Sequence, residues 1–170
     1  MGVEQHKQSA PHTVRCSVLT ISDTRTKKMD KSGQLMIDKL EAANHQINDY
    51  RIVKDEINAI RSAVQQGVTD EEIDVVLTNG GTGIAKRDVT IETVTSMFDK
   101  EIPGFGELFR MLSFTEDIGS AALLSRATAG VTHRTAVFST PGSSGAVKLA
   151  MDRLILPEIT HVVREVQKDY

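Results

Sequence analysis

The chain has 170 residues, enough for one domain with a single core. Its composition, 39% hydrophobic and 25% charged residues, is typical of a globular rather than a disordered protein. Its net charge of −3 argues against binding to nucleic acid, because proteins that bind nucleic acid are usually basic. The single cysteine, Cys16, excludes an internal disulfide, indicates a reducing compartment and is predicted to be buried and inert. Since no apolar run has transmembrane length and the polar N-terminus lacks a hydrophobic signal region, we expect a cytoplasmic protein without membrane contact.

The first half of the chain alternates predicted strands and helices. A flexible, polar arm at residues 1–13 precedes a strand over residues 14–21, and a second strand covers residues 50–53. Ser32 is a suitable N-cap for the helix between them, because its side chain can accept from a free backbone N–H. The helix after the second strand is predicted to end at Gly67.

A glycine-rich segment follows the third predicted strand, which covers residues 75–77. Three glycines in four positions allow the backbone to turn sharply and to approach a ligand closely; the segment reads Thr78-Asn79-Gly80-Gly81-Thr82-Gly83. Open α/β sheets bind ligands at such turns after buried strands. The segment has neither the Gly-x-Gly-x-x-Gly nor the Walker A pattern, so on its own it is equally consistent with a tight connection that binds nothing.

The second half continues the alternation. Its predicted elements are a helix at 90–98, a rigid turn at 102–107, a helix ending at 113–117, a short helical piece at 119–124, an edge strand at 125–131, a buried strand at 135–139, and a long helix interrupted at Pro157. Strands that alternate with helices predict a three-layer α/β/α fold with a mainly parallel central sheet. We expect one domain over residues 14–170.

Three loops at the ends of predicted strands are candidates for a site. They cover residues 23–28, 79–88 and 141–145, and Asp55 follows the second strand. The carboxyl ends of parallel strands share one edge of a sheet, so these loops should converge although they are far apart in sequence.

Asp55 and Asp88 are the candidate acidic pair. Both precede helices, where Asp is favoured as a cap, and their position alone favours that structural role. The functional alternative is that one or both bind Mg²⁺, which usually takes one or two protein carboxylates and completes its shell with water and phosphate oxygens. Lys86 and Arg87 either supply positive charge to a phosphate or are solvated surface residues.

The segment Pro141-Gly142-Ser143-Ser144 leads into a helix, whose free N–H groups and dipole would favour a phosphate. Simple capping by one of the two serines is the commoner alternative. The five histidines lack metal-ligand spacing, so we do not expect a zinc site. The absence of a Gly-x-Ser-x-Gly segment gives little support to a hydrolase triad.

Several motifs, taken together and in order, resemble the MoaB/Mog family of molybdenum cofactor biosynthesis proteins. They are Thr20-Ile21-Ser22-Asp23, Val53-Lys54-Asp55-Glu56, Thr78-Asn79-Gly80-Gly81-Thr82-Gly83, Lys86-Arg87-Asp88-Val89-Thr90, Pro103-Gly104-Phe105-Gly106-Glu107, Leu124-Ser125-Arg126, Ala129-Gly130-Val131 and Pro141-Gly142-Ser143. The resemblance runs from about Val14 to Val166. The segment at residues 109–114 and the Ser143-Ser144 ending are more similar to the MoaB branch than to the Mog branch.

The resemblance implies a protein that binds molybdopterin, a pterin dithiolene with a terminal phosphate, and adenylylates that phosphate with ATP and Mg²⁺. Asp55 and Asp88 would be catalytic and would also hold the Mg²⁺. The implied substrate- and nucleotide-binding residues are Ser22, Asp23, Thr78, Gly80, Gly81, Thr82, Gly83, Ser125, Pro141, Gly142 and Ser143. The resemblance also implies a homo-oligomer, trimer or hexamer, and contacts with other proteins of the pathway.

Three other functions stay open. The first is a carrier of molybdopterin without catalytic activity. Some MoaB-type proteins lack one or both of the carboxylates and their activity is in doubt, whereas this sequence has both, which favours catalysis. The second is a nucleotide-binding oxidoreductase, which the missing Gly-x-Gly-x-x-Gly argues against. The third is an interaction module whose loops bind no ligand. The third loop also departs from the Pro-Gly-Asn-Pro or Pro-Gly-Gln-Pro form of the Mog branch, which bears on how the pterin is bound.

Overall fold

The computed structural model describes residues 13–170 and contains a six-stranded sheet. The strands are β1 (Arg15–Ile21), β2 (Gln46–Val53), β3 (Val75–Asn79), β4 (Lys100–Glu101), β5 (Thr128–Thr132) and β6 (Thr135–Thr140). Their order in the sheet is β2-β1-β3-β6-β5-β4. The first four strands in that order run parallel, and β5 pairs antiparallel with both of its neighbours. The mainly parallel sheet predicted from the sequence is confirmed.

Helices cover both faces of the sheet. They are α1 (Lys31–Ala42), α2 (Ile57–Thr69), α3 (Thr90–Thr95), α4 (Pro103–Glu116), a 3₁₀ segment (Gly119–Leu124), α5 (Ser144–Ala150), a π-helical turn (Met151–Ile155) and α6 (Leu156–Gln167). Successive strand residues point to opposite faces, so Val75 and Leu77 pack with α1, α4, α5 and α6, whereas Val76 packs with α2 and α3. The two hydrophobic clusters on either side of the sheet confirm the three-layer arrangement.

Two predictions about helix ends were wrong because they depend on tertiary contacts. Asp30, not Ser32, caps α1: its Oδ1 accepts from the Gly33 N–H at 3.0 Å. Ser32 lies inside the helix, buried, and donates to Asn79 Oδ1 at 2.8 Å. Gly67 lies within α2 rather than at its end. A Cβ atom on Gly67 would be 2.7 Å from Val76 Cγ2. This glycine therefore permits close packing of the helix on the sheet.

In the second half of the chain, Pro103 is the first residue of α4, so part of the predicted rigid turn is helical. Proline lacks a backbone N–H, which costs little in the first turn of a helix because the N–H groups there have no partner within the helix. The predicted edge strand is β5, which lies inside the sheet, and the short β4 forms the edge. The helix predicted over residues 90–98 ends at Thr95. The expected break at Pro157 takes the form of the π-helical turn at Met151–Ile155, directly before the helix whose first turn contains that proline.

Cys16 is fully buried, as predicted, and burial raises the pKa of its thiol to about 12. None of the helices within residues 13–170 is both long enough and apolar enough to cross a membrane. The predicted flexible arm at residues 1–13 lies, apart from Thr13, outside the described residues.

Candidate functional site

The carboxyl ends of β1, β3 and β6 meet at one edge of the sheet. Their registers pair Thr20 with Asn79 and Asn79 with Thr140, so the three strands end side by side. The Gly80 N–H donates to Thr140 O at 3.0 Å, and a Cβ atom on Gly142 would be 3.0 Å from Gly80 Cα. The loops that follow these strands therefore pack against one another, as their positions in the sequence suggested.

A cleft of about 330 Å³ opens between these loops. The predicted site residues that line it are Ser22, Gly80, Gly81, Thr82, Gly83, Asp88, Ser125, Pro141 and Gly142. Four further residues complete the lining: Ile21, Arg25, Leu124 and Arg126. A larger cavity, of about 610 Å³, lies between α6 and β4 and contains none of the predicted site residues.

The glycine-rich loop, residues 80–88, begins with two glycines in the left-handed region. The φ angles of Gly80 and Gly81 are 98° and 64°. A Cβ atom would lie 2.3 Å from Ile21 O at the first glycine and 2.2 Å from Thr90 Oγ1 at the second. Both the backbone angle and the close contacts therefore require residues without a side chain.

The same loop presents a run of unengaged amides. Within residues 13–170, the N–H groups from Gly81 to Ile84 donate to no protein acceptor. After Gly80, the next N–H of the loop that has an acceptor is that of Ala85. Gly81, Thr82 and Gly83 line the cleft. Successive free N–H groups beside a cleft form a binding site suited to an anion.

Asp88 shapes the far end of this loop. Its Oδ2 accepts from the Ala85 N–H at 2.9 Å and would lie 2.5 Å from a Cβ atom on Gly83. The N-cap position of α3 is Val89, so Asp88 is not the cap residue of that helix. Its carboxylate borders the cleft beside the free amides.

Asp55 lies behind Gly81. Its Oδ1 is buried and has no hydrogen-bond partner in the described part of the chain, and Glu56 rather than Asp55 occupies the N-cap position of α2. Burial raises the pKa of the Asp55 carboxyl, and the negative charges of Asp88 and Asp23 raise it further, while Arg87 and the backbone N–H of Val89 act in the opposite direction. A nearby cation would stabilise the ionised form and provide the missing partner.

Asp23 bonds to the segments that carry Asp55 and Asp88. Asp23 Oδ1 accepts from the Asp55 N–H at 3.0 Å, and its Oδ2 pairs with the Arg87 guanidinium. Across residues 13–170, no three His, Cys, Asp or Glu side chains are grouped so that they could hold a metal ion. A cation at this site would have to complete its shell with other oxygens, which is usual for Mg²⁺.

Four predicted site residues do not line the cleft, namely Asp23, Asp55, Thr78 and Ser143, and the last two have their side chains engaged elsewhere. Thr78 is fully buried, and its hydroxyl donates to Ser139 Oγ at 2.8 Å. Ser143 Oγ accepts from the Ala146 N–H at 3.2 Å and caps α5, which is the capping alternative considered from the sequence. The structure therefore does not bring these two side chains into the cleft.

Sequence reasoning missed two arginines and a threonine. Arg25 donates from Nη2 to Gly142 O at 3.0 Å and from Nη1 to Ser32 Oγ at 2.5 Å, while Arg126 contacts the glycine-rich loop. Thr90 Oγ1 is buried and lacks a hydrogen-bond partner among the residues described. All three lie in segments that the sequence singled out, but nothing local shows which atoms their side chains reach.

Comparison with known proteins agrees with this arrangement. Residues 17–161 match the sequence model of a family described as a probable molybdopterin binding domain. Molybdenum cofactor biosynthesis protein B of Bacillus subtilis (strain 168) is 67% identical over 169 residues, 99% of either chain. A crystal structure of molybdenum cofactor biosynthesis protein B has a TM-score of 0.92 and 59% identity, covering 94% of this chain and 99% of that one.

A more distant structure, the tungsten cofactor synthesizing protein MoaB from Pyrococcus furiosus, has a TM-score of 0.83 and 38% identity, covering 93% of this chain and 99% of that one. The similarity thus extends over nearly the whole chain in both sequence and fold. The chain belongs to the MoaB/Mog family of molybdenum cofactor biosynthesis proteins.

Proposed function

We propose that this protein acts in the cytoplasm, where it binds molybdopterin and transfers the adenylyl group of ATP to its terminal phosphate, releasing pyrophosphate. The observation that supports this most is the position of Asp55 and Asp88 beside a cleft bordered by free backbone N–H groups. Membership of a family described as probable molybdopterin binding domains makes molybdopterin the first pterin to test.

The reaction joins two anions, so the site must reduce charge repulsion and align the phosphates. An oxygen of the terminal phosphate forms a bond to the α-phosphorus of ATP, and the bond from that phosphorus to the pyrophosphate oxygen breaks. The attacking phosphate is already ionised at neutral pH, so no side chain has to remove a proton. The lining of the cleft, within the described chain, contains no histidine, and this reaction requires none.

The N–H groups of Gly81, Thr82 and Gly83 would bind phosphate oxygens. Their hydrogen bonds would be charge-assisted, and the loop is fixed in place before the ligand arrives, so little ordering is needed on binding. The opposite wall, which contains Ser125 and the turn at residues 141–142, would contact the pterin. In this arrangement the phosphates would lie next to the aspartates.

The two aspartates would suit Mg²⁺, because Asp88 borders the cleft and Asp55 Oδ1, directly behind Gly81, is a buried oxygen without a partner in the described residues. Mg²⁺ bound there would stabilise the negative charge on the α-phosphate and on the leaving pyrophosphate. Asp23 holds the Asp55 backbone N–H and the Arg87 guanidinium, and thereby keeps the Asp55 backbone in position.

Incubation with molybdopterin and Mg-ATP, followed by mass spectrometry, tests the proposal. We expect adenylylated molybdopterin and one pyrophosphate per product. Binding of molybdopterin without product would contradict adenylyl transfer and support a carrier. Binding of neither molybdopterin nor ATP would contradict the whole proposal, and binding of a nicotinamide cofactor would favour the oxidoreductase.

We also propose that the protein is a homo-oligomer, a trimer or hexamer, whose interface includes α4. Large apolar side chains are exposed on α4, on the 3₁₀ segment and on the link between them: Leu108, Met111, Phe114, Ile118, Leu123 and Leu124. Leu123 is 87% and Phe114 60% exposed, and groups of exposed apolar residues mark interaction sites. Sedimentation equilibrium should show a defined oligomer that Leu123→Ser weakens. A monomer at all concentrations would contradict this.

A further inference from the structure

We infer that Arg126 is a positioning residue that holds the carbonyl oxygens of Thr82 and Gly83 in the glycine-rich loop and so keeps the N–H groups of Gly83 and Ile84 available to an anion. This inference rests on the proposed function only for what the loop binds. The contact itself is a property of the protein without ligands. Arg126 lines the cleft and follows Ser125, directly after the 3₁₀ segment.

Three carbonyl groups of the loop surround the Arg126 guanidinium. Its Nε donates to Thr82 O at 3.0 Å, and its Nη2 donates to Gly83 O at 2.6 Å. The same Nη2 lies 3.4 Å from Asp88 O. One rigid, planar group therefore joins the start of the loop to its end.

These contacts fix the orientation of the loop peptides. In a planar trans peptide the C=O and N–H bonds point in opposite directions. The Thr82 carbonyl shares its peptide with the Gly83 N–H, and the Gly83 carbonyl shares its peptide with the Ile84 N–H. When both carbonyls point to Arg126, both N–H groups point away from it, and the carbonyl oxygens that would repel an anion are occupied.

Arg126 is not placed to bind the anion with a free charge, because Glu92 pairs with it. Glu92 Oε1 accepts from Nη1, and Glu92 Oε2 lies 3.4 Å from Nη2. The hydrogen bond from Arg126 holds the pKa of the Glu92 carboxyl below its usual value. Because the charge of Arg126 is paired with Glu92 while Nε and Nη2 donate to the loop, we assign its effect to the position of the loop.

Other contacts hold the loop elsewhere. The Thr90 N–H donates to Gly81 O at 3.0 Å, and Asp88 Oδ2 accepts from the Ala85 N–H at 2.9 Å. Among residues 13–170, no other donor reaches the carbonyls of Thr82 and Gly83. Loss of the guanidinium should therefore loosen this part of the loop while the strand before it stays intact.

Hydrogen–deuterium exchange of the ligand-free protein tests the contact. In Arg126→Gln, we expect the N–H groups of Ala85 and Asp88, the loop amides after Gly80 that have acceptors, to exchange about tenfold faster or more. The reason is that hydrogen bonds from a charged donor are among the stronger ones, so their loss loosens the loop that carries these two amides. Amides of β3 should keep their rates. Arg126→Lys, which keeps the charge but cannot bridge three carbonyls, should fall between wild type and Arg126→Gln. Unchanged exchange in both variants would overturn the inference.

Arg153→Gln is the matched control, since Arg153 also pairs with a glutamate, Glu116, but lies away from the cleft. It should leave the exchange of the loop unchanged. Binding of inorganic pyrophosphate, measured by calorimetry, tests the consequence for anions. We expect the dissociation constant to rise about tenfold in Arg126→Gln and to stay unchanged in Arg153→Gln.

The outcomes separate the two proposals. Faster exchange in Arg126→Gln with an unchanged dissociation constant for pyrophosphate would overturn the role in anion binding. If the wild-type protein binds neither pyrophosphate nor Mg-ATP, the proposed function fails, and the exchange result alone decides whether Arg126 positions the loop. Equal effects of Arg126→Gln and Arg153→Gln would overturn the inference as well.

Discussion

Asp55 Oδ1 lies 2.9 Å from the point where Gly81 would carry a Cβ atom. Thr90 Oγ1 lies 2.2 Å from the same point, and in the described structure both oxygens are buried without a hydrogen-bond partner. A buried polar atom without a partner costs roughly 1–3 kcal/mol of stability. These two atoms meet at one glycine of the cleft, and the proposed Mg²⁺ or its water would complete their contacts.

Asp55→Asn is expected to raise the melting temperature at neutral pH in a buffer without Mg²⁺. The fold raises the pKa of the Asp55 carboxyl above its ordinary value of 3.8, so ionisation of Asp55 destabilises the folded state at neutral pH. Asparagine does not ionise and avoids this cost. The difference from wild type should therefore shrink as the pH falls through the raised pKa towards 3.8.

Thermal unfolding of both proteins across this pH range measures the effect, with Asp38→Asn, an exposed aspartate on α1, as the control without effect. The same Asp55→Asn variant should lose AMP transfer. A lower melting temperature than that of the wild type at neutral pH would contradict the destabilising role of the Asp55 charge.

Asp88→Asn should reduce AMP transfer by about 10²-fold or more, because it removes a charge placed to hold the metal that offsets the developing negative charge. Molybdopterin binding should survive, since the pterin wall of the cleft is unchanged. Single-turnover rates and a fluorescence titration with molybdopterin measure the two effects. Asp152→Asn, which removes the partner of Lys39 outside the cleft, is the matched control. Transfer at the wild-type rate in Asp88→Asn would refute the assigned role.

Gly81→Ala should destabilise the protein more than Gly119→Ala. Both glycines have positive φ, 64° and 58°, but only the first would place its Cβ atom against Thr90 and Asp55, whereas nothing lies within 4 Å at the second. Gly119→Ala thus measures the backbone cost alone, about 1–2 kcal/mol. Urea unfolding gives both values, and a nucleotide titration should show weaker Mg-ATP binding only for Gly81→Ala, with a larger loss in Gly81→Val. Equal costs and equal affinities would exclude the steric explanation.

Thr90→Val should weaken Mg-ATP binding without reducing stability. The substitution keeps the shape and removes a hydroxyl that has no protein partner in the described residues, so the folded state loses no hydrogen bond. Thr135→Val is the matched control, because Thr135 Oγ1 is also buried without a partner there but belongs to the first residue of β6, whereas the last residue of that strand, Thr140, is the one that contacts Gly80. Calorimetric titration should separate the two variants. Identical affinities for Mg-ATP would show that Thr90 takes no part in binding.

The sequence alone determined the class of fold and the edge of the sheet that holds the cleft. Both follow from local properties: the period of the apolar residues identifies strands and helices, and glycine permits backbone angles that other residues avoid. The parallel order of the strands then brings their carboxyl ends together, which is why Asp88 and Gly81 were correctly expected near each other. The resemblance to the MoaB/Mog family rested on the same local motifs.

Only the tertiary structure decided what each side chain does at that edge. Thr78 turns to Ser139 and Ser143 caps α5, whereas Arg25 reaches Gly142 across 117 positions of the chain and Arg126 reaches Thr82 across 44. These partners are remote in sequence, and whether a polar atom finds a donor depends on packing from several elements at once. For the same reason, only the folded chain shows that one side-chain oxygen of Asp55 and that of Thr90 lack partners. Whether a buried oxygen has a hydrogen-bond partner depends on all the groups packed around it.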